Sequence, residues 1–281
     1  MIIDILSDIH IDFYFKTNPT RNAVESTYSH IFTDNHTRRV GNVLIIAGDI
    51  GHNNKQNIQV LELIKEVFGY KYIICVLGNH DYYLLDVHSI SDYNGFSLNR
   101  ADEMRNMINE KEGMYCLDGE VIEIDGVHIG GCDGWYDGEY IRKHFSKKTK
   151  EYMDSYVSML WRRTMADADY LFGIDWQGYA KLEKRKIEKI YKDVDVMITH
   201  INPSVEKEHT THSFRDDDTT GFFTFDGSKY LKDGSMQYWI YGHTHTETEH
   251  EIDGVKCICN PMGYPGENGN GEWVWIKSIE V

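Results

Sequence analysis

Five short blocks of Asp, Asn and His side chains follow apolar stretches of this sequence. The first two are Asp8-Ile9-His10 and Gly48-Asp49, and the third is Gly78-Asn79-His80-Asp81. The last two are His200 and Gly242-His243-Thr244-His245. Asp and Asn supply hard oxygen ligands and His supplies a borderline nitrogen, a mixture that suits Mn, Fe, Zn or Co better than Ca. The residue types therefore indicate a transition-metal site.

The spacing within the blocks favours a shared site. Asp8 and His10 are two residues apart, so on an extended backbone their side chains lie on one face. The same holds for His243 and His245. Glycines precede three of the blocks, and glycine lets the backbone turn sharply and approach a metal or phosphate closely.

The elements that must position these blocks alternate between strand and helix. In the first third, the pattern predicts strands over 2–6, 42–47 and 72–77 and amphipathic helices over 56–68 and 97–112. This order predicts a parallel or mixed sheet with helices on its faces. Ligands in such folds bind beyond the carboxyl ends of strands, which is where the blocks stand.

Later segments follow the same logic. Helices are predicted over 152–166 and 180–191, and Asp125-Gly126 and Asp253-Gly254 each predict a tight hairpin. Further strands are predicted over 195–199, 237–241 and 273–276. We predict one domain over 1–281, in which 135–178 and 206–227 are insertions or substrate-facing loops.

The five blocks, in this order, resemble the signature of the calcineurin-like metallophosphoesterase superfamily: D-x-H, G-D, G-N-H-[D/E], a lone H, and G-H-x-H. The resemblance spans residues 8–245, and the stretch 260–265 resembles one common in bacterial and phage members. Each block alone is weak evidence, but five in order are very hard to obtain by accident. The resemblance implies an α/β fold, a four-layer α/β/β/α sandwich of two mixed β-sheets.

The resemblance also implies two divalent or trivalent metal ions, drawn from Mn, Fe, Zn, Co or Ni. Seven side chains would hold them: Asp8, His10 and His245 for one ion, Asn79, His200 and His243 for the other, and Asp49 as the bridge. A shared hydroxide would attack phosphorus in line. His80 would bind the phosphate and protonate the leaving group, and Asp81 would orient the His80 ring.

Composition narrows the function classes. With 29 Lys and Arg against 45 Asp and Glu the net charge is −16, which disfavours nucleic acid as a partner. The longest apolar runs are far shorter than the roughly 20 residues of a membrane span, and the start does not resemble a signal peptide. Five cysteines, an odd number without a CxxC pair, predict free thiols in a reducing cytoplasm.

We therefore predict a metal-dependent hydrolase of a phosphomonoester or phosphodiester, with a phosphorylated small molecule or nucleotide as substrate. One alternative is a nuclease, for which local positive charge would come from Lys147, Lys148, Lys150, Arg162 and Arg163. Another alternative is a metal-bearing interaction module without catalytic activity. The presence of His80 and Asp81 argues against it.

Several residues stay open at this point. His209, His212 and Asp216-Asp217-Asp218 form either a third metal site or a solvated acidic loop. His52 is close enough in sequence to Asp49 to reach the site, whereas Asp12 is interpreted as a loop residue. Four aromatic residues either line the cleft or belong to the core: Tyr82, Tyr83, Trp135 and Tyr136. The natural substrate, the native metals and the oligomeric state are not determined by the sequence.

Overall fold

The computed structural model describes residues 1–32, 41–145, 149–269 and 274–281. Within these ranges the strands form two mixed sheets. The first sheet has the order β11-β1-β2-β3-β4, in which β11 alone runs antiparallel to its neighbour. Its strands are β1 (Ile2–Leu6), β2 (Val43–Ala47), β3 (Tyr72–Val76), β4 (Met114–Cys116) and β11 (Lys277–Glu280).

The second sheet has the order β5-β6-β7-β8-β10-β9, with a parallel centre and an antiparallel strand at each edge. Its strands are β5 (Glu120–Ile124), β6 (Val127–Gly131), β7 (Val196–Ile198), β8 (Tyr238–Tyr241), β9 (Thr248–Ile252) and β10 (Val255–Cys259). At both predicted hairpins, Asp-Gly takes the positive φ that a tight two-residue turn requires.

The helices are α1 (Ile11–Tyr14), α2 (Arg21–Phe32), α3 (Asn54–Phe68), α4 (Val87–Asp92), α5 (Ser97–Asn109), α6 (Glu139–Phe145), α7 (Lys150–Thr164), α8 (Asp167–Tyr170), α9 (Trp176–Ile190) and α10 (Ser228–Asp233). The side chain of Asn53 caps α3 by accepting from the Gln56 amide, and Asp175 caps α9 in the same way. Because of the Asp175 cap, α9 starts four residues before its predicted start.

Alternation along the strands builds the layers. Ile3, Ile45 and Ile74 of the first sheet pack against Ile129 and Ile240 of the second, in a core between the sheets. The neighbouring positions on the same strands, such as Leu44 and Trp239, are equally buried but belong to a second core that includes helix residues. The chain is thus an α/β protein with two mixed sheets flanked by helices, and the predicted fold is confirmed.

The predicted closing strand was wrong in position. The strand that closes the first sheet is β11, whereas Val274 and Ile276 are buried in the helix-side core. The Ile276 amide donates to the Ile31 carbonyl of α2 instead of joining the sheet. The apolar run therefore reflects packing against a helix. Trp273, Lys147 and Lys148 lie outside the described residues.

Candidate metal centre

All seven predicted ligands lie at one edge of the two sheets. Strands β1, β2 and β3 are parallel neighbours in the first sheet, and β7 and β8 are parallel neighbours in the second. Their carboxyl ends therefore lie at one edge of each sheet. The His243 amide donates to Asp8 Oδ1 at 2.9 Å, which joins the two edges.

The ligands form two groups that share Asp49. One group contains Asp8, His10, Asp49 and His245, and the other contains Asp49, His200 and His243; in each group the ligand atoms lie within 4.8 Å of one another. Asn79 joins the second group, since its Oδ1 lies 3.2 Å from His200 Nε2. The structure thus brings together the two sets in the predicted division.

In the first group, a ring nitrogen of His10 faces a ring nitrogen of His245, as two ligands of one metal ion do. His10 Nε2 lies 3.0 Å from His245 Nε2, although two neutral rings can place at most one proton between these atoms. Asp49 Oδ2 is buried and has no hydrogen-bond partner among the described residues. A buried orphan oxygen is costly unless a cation satisfies it. The residues present therefore fit a bound metal.

The backbone at these positions adopts an unusual conformation. Five of the seven ligands have positive φ angles, from 38° at His10 to 69° at His243, with Asp8, Asp49 and His245 between them. Left-handed backbone is uncommon for residues other than glycine and costs free energy that the surroundings must supply. Such residues cluster at functional sites, and here the conformation turns consecutive ligands toward one point.

Gly78 shows why a glycine precedes Asn79. A Cβ added to Gly78 would lie 2.1 Å from Asp49 Oδ1 and 2.6 Å from His200 Nε2. The absent side chain therefore makes room for one ligand from each sheet, Asp49 after β2 and His200 after β7. Of the two reasons that the sequence suggested, this is the close approach and not the sharp turn.

Hydrogen bonds at the far side of the imidazole rings orient the ligands. His200 Nδ1 donates to the Ala47 carbonyl at 2.8 Å, which leaves Nε2 free to coordinate. His243 Nε2 lies 3.1 Å from the Phe222 carbonyl, and His245 Nδ1 lies 2.7 Å from Glu267 Oε2. These partners fix the rings in the way that metal-binding histidines usually require.

The electrostatics of the site favour the coordinating form of His10, His243 and Asp49. They oppose it at three other ligands: burial raises the pKa of Asp8, and, although burial acts against them, neighbouring carboxylates raise the pKa of His200 and of His245. Burial lowers the pKa of His10 and of His243, so both rings are neutral at neutral pH. Burial opposes charge on His200 too, but the Asp49 carboxylate outweighs it and raises the pKa of His200 to about 10. The Asp49 pKa lies well below its usual range because the neighbouring histidines, His200 first, outweigh its burial.

His80 is held by a chain of side chains instead of by Asp81. His80 Nδ1 lies 2.9 Å from His52 Nε2, and His52 Nδ1 lies 2.8 Å from Asp12 Oδ2. On the other side of the ring, the Tyr264 hydroxyl lies 2.9 Å from His80 Nε2. Burial lowers the pKa of His80 to about 4, although Asp49 acts in the opposite direction.

The predicted role of Asp81 in orienting His80 was wrong. Its carboxylate accepts hydrogen bonds from the backbone amides of Ile50, Gly51 and Gly78, at 2.8–3.2 Å. The side chain of Asp81 therefore points into the turns that carry Asp49 and Asn79. Asp81 positions the metal ligands, and burial together with Asp49 raises its pKa to about 6.

Three residues of the site were missed by the sequence reasoning. Asp167, which is fully buried, accepts a hydrogen bond from the Asn79 amide at 2.8 Å and so directs Asn79 Oδ1 toward the ligands. Tyr264 covers the His10 ring at 4.4 Å between centroids, and Glu267 holds His245. The stretch 260–265, which resembles one common in bacterial and phage members, includes Tyr264 and could have indicated it. No motif in the sequence around Asp167 indicated that residue.

A cavity of about 330 Å³ opens above the ligands. Tyr83 lines it, as do Thr164 and Phe223 from the two segments predicted as insertions or substrate-facing loops. The other three candidate aromatics are core residues: Tyr82, Trp135 and Tyr136.

Two further clusters in the described part of the chain do not form a third metal site. In the 206–227 segment, Asp216 pairs with Lys207 at the surface, Asp217 caps a turn and Asp218 accepts from Tyr156. The carboxylates of Asp118, Asp133 and Glu183 do lie together, but each already has a cationic partner: Arg105 pairs with Asp118 and Asp133, and Lys186 pairs with Asp118 and Glu183. No described helix has the length and apolar character of a membrane span, and all five cysteines are buried and free.

The fold and the site define a class of protein, and sequence comparison agrees. The profile of the family described as Calcineurin-like phosphoesterase matches residues 1–247. The chain belongs to this family and is, at that level, a metal-dependent phosphoesterase. The bacterial or phage subtype stays a prediction.

Individual relatives are distant. Uncharacterized protein L509 of Acanthamoeba polyphaga mimivirus is 24% identical over 287 residues, which cover 96% of this chain and 93% of that protein. In structure, the chain is similar to the phosphopantetheinyl hydrolase PptH of Mycobacterium tuberculosis, with a TM-score of 0.69 and 16% identity over 99% of this chain and 95% of that one. This likeness supports the fold.

Proposed function

We propose that this protein hydrolyses a phosphomonoester or phosphodiester of a small molecule or nucleotide at a dinuclear metal centre. The observation that carries the proposal is the sharing of Asp49 by two buried ligand groups, with His80 beside them. Metal ions bound there would polarise the phosphate oxygens and supply hydroxide at neutral pH. The free cysteines favour a reducing compartment such as the cytoplasm.

The chain's own residues then have separate tasks. Asp49 accepts a hydrogen bond from the His80 amide at 3.0 Å, which ties the carboxylate that the two ligand groups share to the catalytic block. In the chain Asp12-His52-His80, the carboxylate accepts from His52 Nδ1, so His52 Nε2 accepts from His80 Nδ1. His80 Nε2 is then the nitrogen without a proton, and it accepts from the Tyr264 hydroxyl at 2.9 Å. With a second proton taken up at Nε2, which the negative charge of a bound phosphate favours, the His80 imidazolium can donate to a phosphate oxygen or pass that proton to the leaving group.

The first test is hydrolysis of 4-nitrophenyl phosphate and bis(4-nitrophenyl) phosphate by chelator-treated protein, before and after addition of Mn²⁺. We expect turnover only with metal, and the ratio of the two rates separates a monoesterase from a diesterase. Metal analysis should find two ions per chain. Turnover that persists without metal, or a single bound ion in the active protein, would contradict the dinuclear proposal.

Two variants separate metal binding from proton transfer. Asp49→Ala should lose metal and activity together, because Asp49 belongs to both ligand groups. His80→Ala should keep its metal and lose about 10²–10⁴-fold in rate, which is the usual contribution of a general acid. His128→Ala, on an exposed ring of β6, is the matched control and should keep both. Full activity of His80→Ala on an ester with a poor leaving group would refute its role.

A further inference from the structure

A second, smaller cavity lies beside the metal centre, under the 206–227 segment. It encloses about 160 Å³, and seven of its eleven lining residues are threonines. No carboxylate, ammonium or guanidinium group is among the lining residues. The wall thus consists of threonine methyl and hydroxyl groups and the rings of Phe214 and Phe223, together with Asn202 and His209.

This cavity adjoins the space above the metal ligands. Phe223 and Thr244 line both cavities, so the two share a wall. The Phe223 ring packs against the His243 ring with 4.7 Å between centroids. A group esterified to a phosphate at the metal centre would therefore lie within reach of this shared wall.

Two hydroxyl oxygens of the wall, Thr210 Oγ1 and Thr224 Oγ1, lack a hydrogen-bond partner among the described residues. Thr224 is 1% exposed. Leaving a buried hydroxyl unsatisfied costs free energy, which a ligand with a hydrogen-bonding atom would recover. The other hydroxyls differ: Thr220 donates to the Phe214 carbonyl and Thr248 pairs with Tyr241.

Size and charge restrict the occupant. An apolar cavity of about 150 Å³ is large enough to bind benzene, so this one can hold a single ring or a short branched chain. A charged group would lose its hydration without meeting a carboxylate, ammonium or guanidinium group of opposite sign, which is strongly unfavourable. The occupant must be uncharged and carry at least one hydrogen-bonding atom.

We infer that this threonine-lined cavity is the subsite for the leaving group, and that it selects phosphate esters of small uncharged alcohols or phenols. The inference rests on the proposed phosphoesterase function, because that function places the phosphate at the metal centre. It adds the substrate class, which the metal ligands do not determine.

Direct binding tests the cavity without any turnover. Benzamide and benzamidinium have nearly the same shape and differ in charge, so the pair serves as a matched probe. On chelator-treated protein with ¹³C-labelled threonine methyl groups, benzamide should shift the cavity threonines and benzamidinium should not. The protein is acidic and attracts cations, so a preference for neutral benzamide over benzamidinium cannot result from the net charge. Equal binding of both probes, or benzamide shifts confined to threonines elsewhere, would overturn the inference.

Kinetics of the metal-loaded enzyme test the link to catalysis. Thr224→Val keeps the shape and removes the hydroxyl, so KM for 4-nitrophenyl phosphate should rise about three- to tenfold. Thr211→Phe, at a half-buried position of the wall, fills the cavity and should lower kcat/KM about tenfold or more. Inhibition by inorganic phosphate, which needs only the metal centre, should be unchanged in both variants.

The outcomes separate the two proposals. If wild-type protein turns over no ester with Mn²⁺, the proposed function fails, while the benzamide experiment still decides whether the cavity binds neutral groups. If wild type is active and both variants keep the wild-type KM and kcat/KM, the leaving group lies elsewhere and the inference is overturned.

Discussion

At the scale of single residues, the positions that differ from expectation are the ones that orient His80. Asp12 and His52 form a hydrogen-bonded chain to His80 Nδ1, and Tyr264 meets Nε2. His52 holds Asp12 in its charged form: although burial acts against it, the pKa of Asp12 falls to about 2. The Asp12 carboxylate thus stays ionised at any pH at which the protein would work.

We predict that Asp12→Asn and His52→Asn each lower kcat about 10- to 100-fold with metal content unchanged, as loss of an orienting partner does. The loss should be greater for an alkyl phosphate than for 4-nitrophenyl phosphate, because an alkoxide leaving group needs the proton more. His88→Asn, at an exposed position, is the control. Equal losses on both substrates would indicate a purely structural role for the chain.

At the scale of elements, the sequence predicted the ligand-bearing strands well because each strand is a short apolar run that ends at a polar block. It missed Asp167, because the contact between Asp167 and Asn79 joins residues 88 positions apart and has no local pattern. It misassigned Asp81 for a related reason: adjacency to His80 suggested contact, whereas the turn directs the Asp81 carboxylate to backbone amides. Spacing predicts faces of strands but not the partners of a turn.

A buried ion pair joins the two sheets near the site. Arg105 of α5 pairs with Asp133, which follows β6, and Asp133 Oδ1 accepts from the Leu77 amide after β3 at 2.8 Å. The Asp133 carbonyl also accepts from the amide of His200 at 2.6 Å. The pair therefore connects α5, both sheets and one metal ligand.

Arg105→Met should lower the free energy of unfolding by about 3–5 kcal/mol, because it leaves the Asp133 carboxylate buried without its cation. Urea denaturation of the metal-free protein measures this change. Arg162→Met, on an exposed part of α7, should change stability by less than about 0.5 kcal/mol. A similar small change for Arg105→Met would show that the pair contributes little. The double variant Arg105→Met with Asp133→Asn should lose less than the sum of the single losses.

At the scale of the whole molecule, the net charge of −16 opposes an anionic substrate. The described part of the basic cluster, Lys150, Arg162 and Arg163, belongs to α7, whose last residue lines the cavity above the ligands. Two fields therefore compete at the entrance: a general repulsion from the acidic surface and a local attraction from α7. Salt screens both fields. For a small ester, screening the general repulsion raises kcat/KM, whereas for a nucleic acid, screening the local attraction weakens binding.

For a small ester, kcat/KM should rise several-fold when ionic strength increases from about 0.01 to 0.15 M, because the Debye length falls from about 30 to 8 Å and the repulsion is screened. The rise should be steeper for the dianion 4-nitrophenyl phosphate than for the monoanion bis(4-nitrophenyl) phosphate.

A nuclease would behave in the opposite way, since binding of a phosphate backbone to basic side chains weakens with salt. Reversing Lys150, Arg162 and Arg163 to Glu would then abolish cleavage of an oligonucleotide and spare the small esters. If kcat/KM for the dianion falls as salt is added, the local positive charge of α7 outweighs the net negative charge of the protein. That outcome would support the nuclease alternative, which the net charge disfavours.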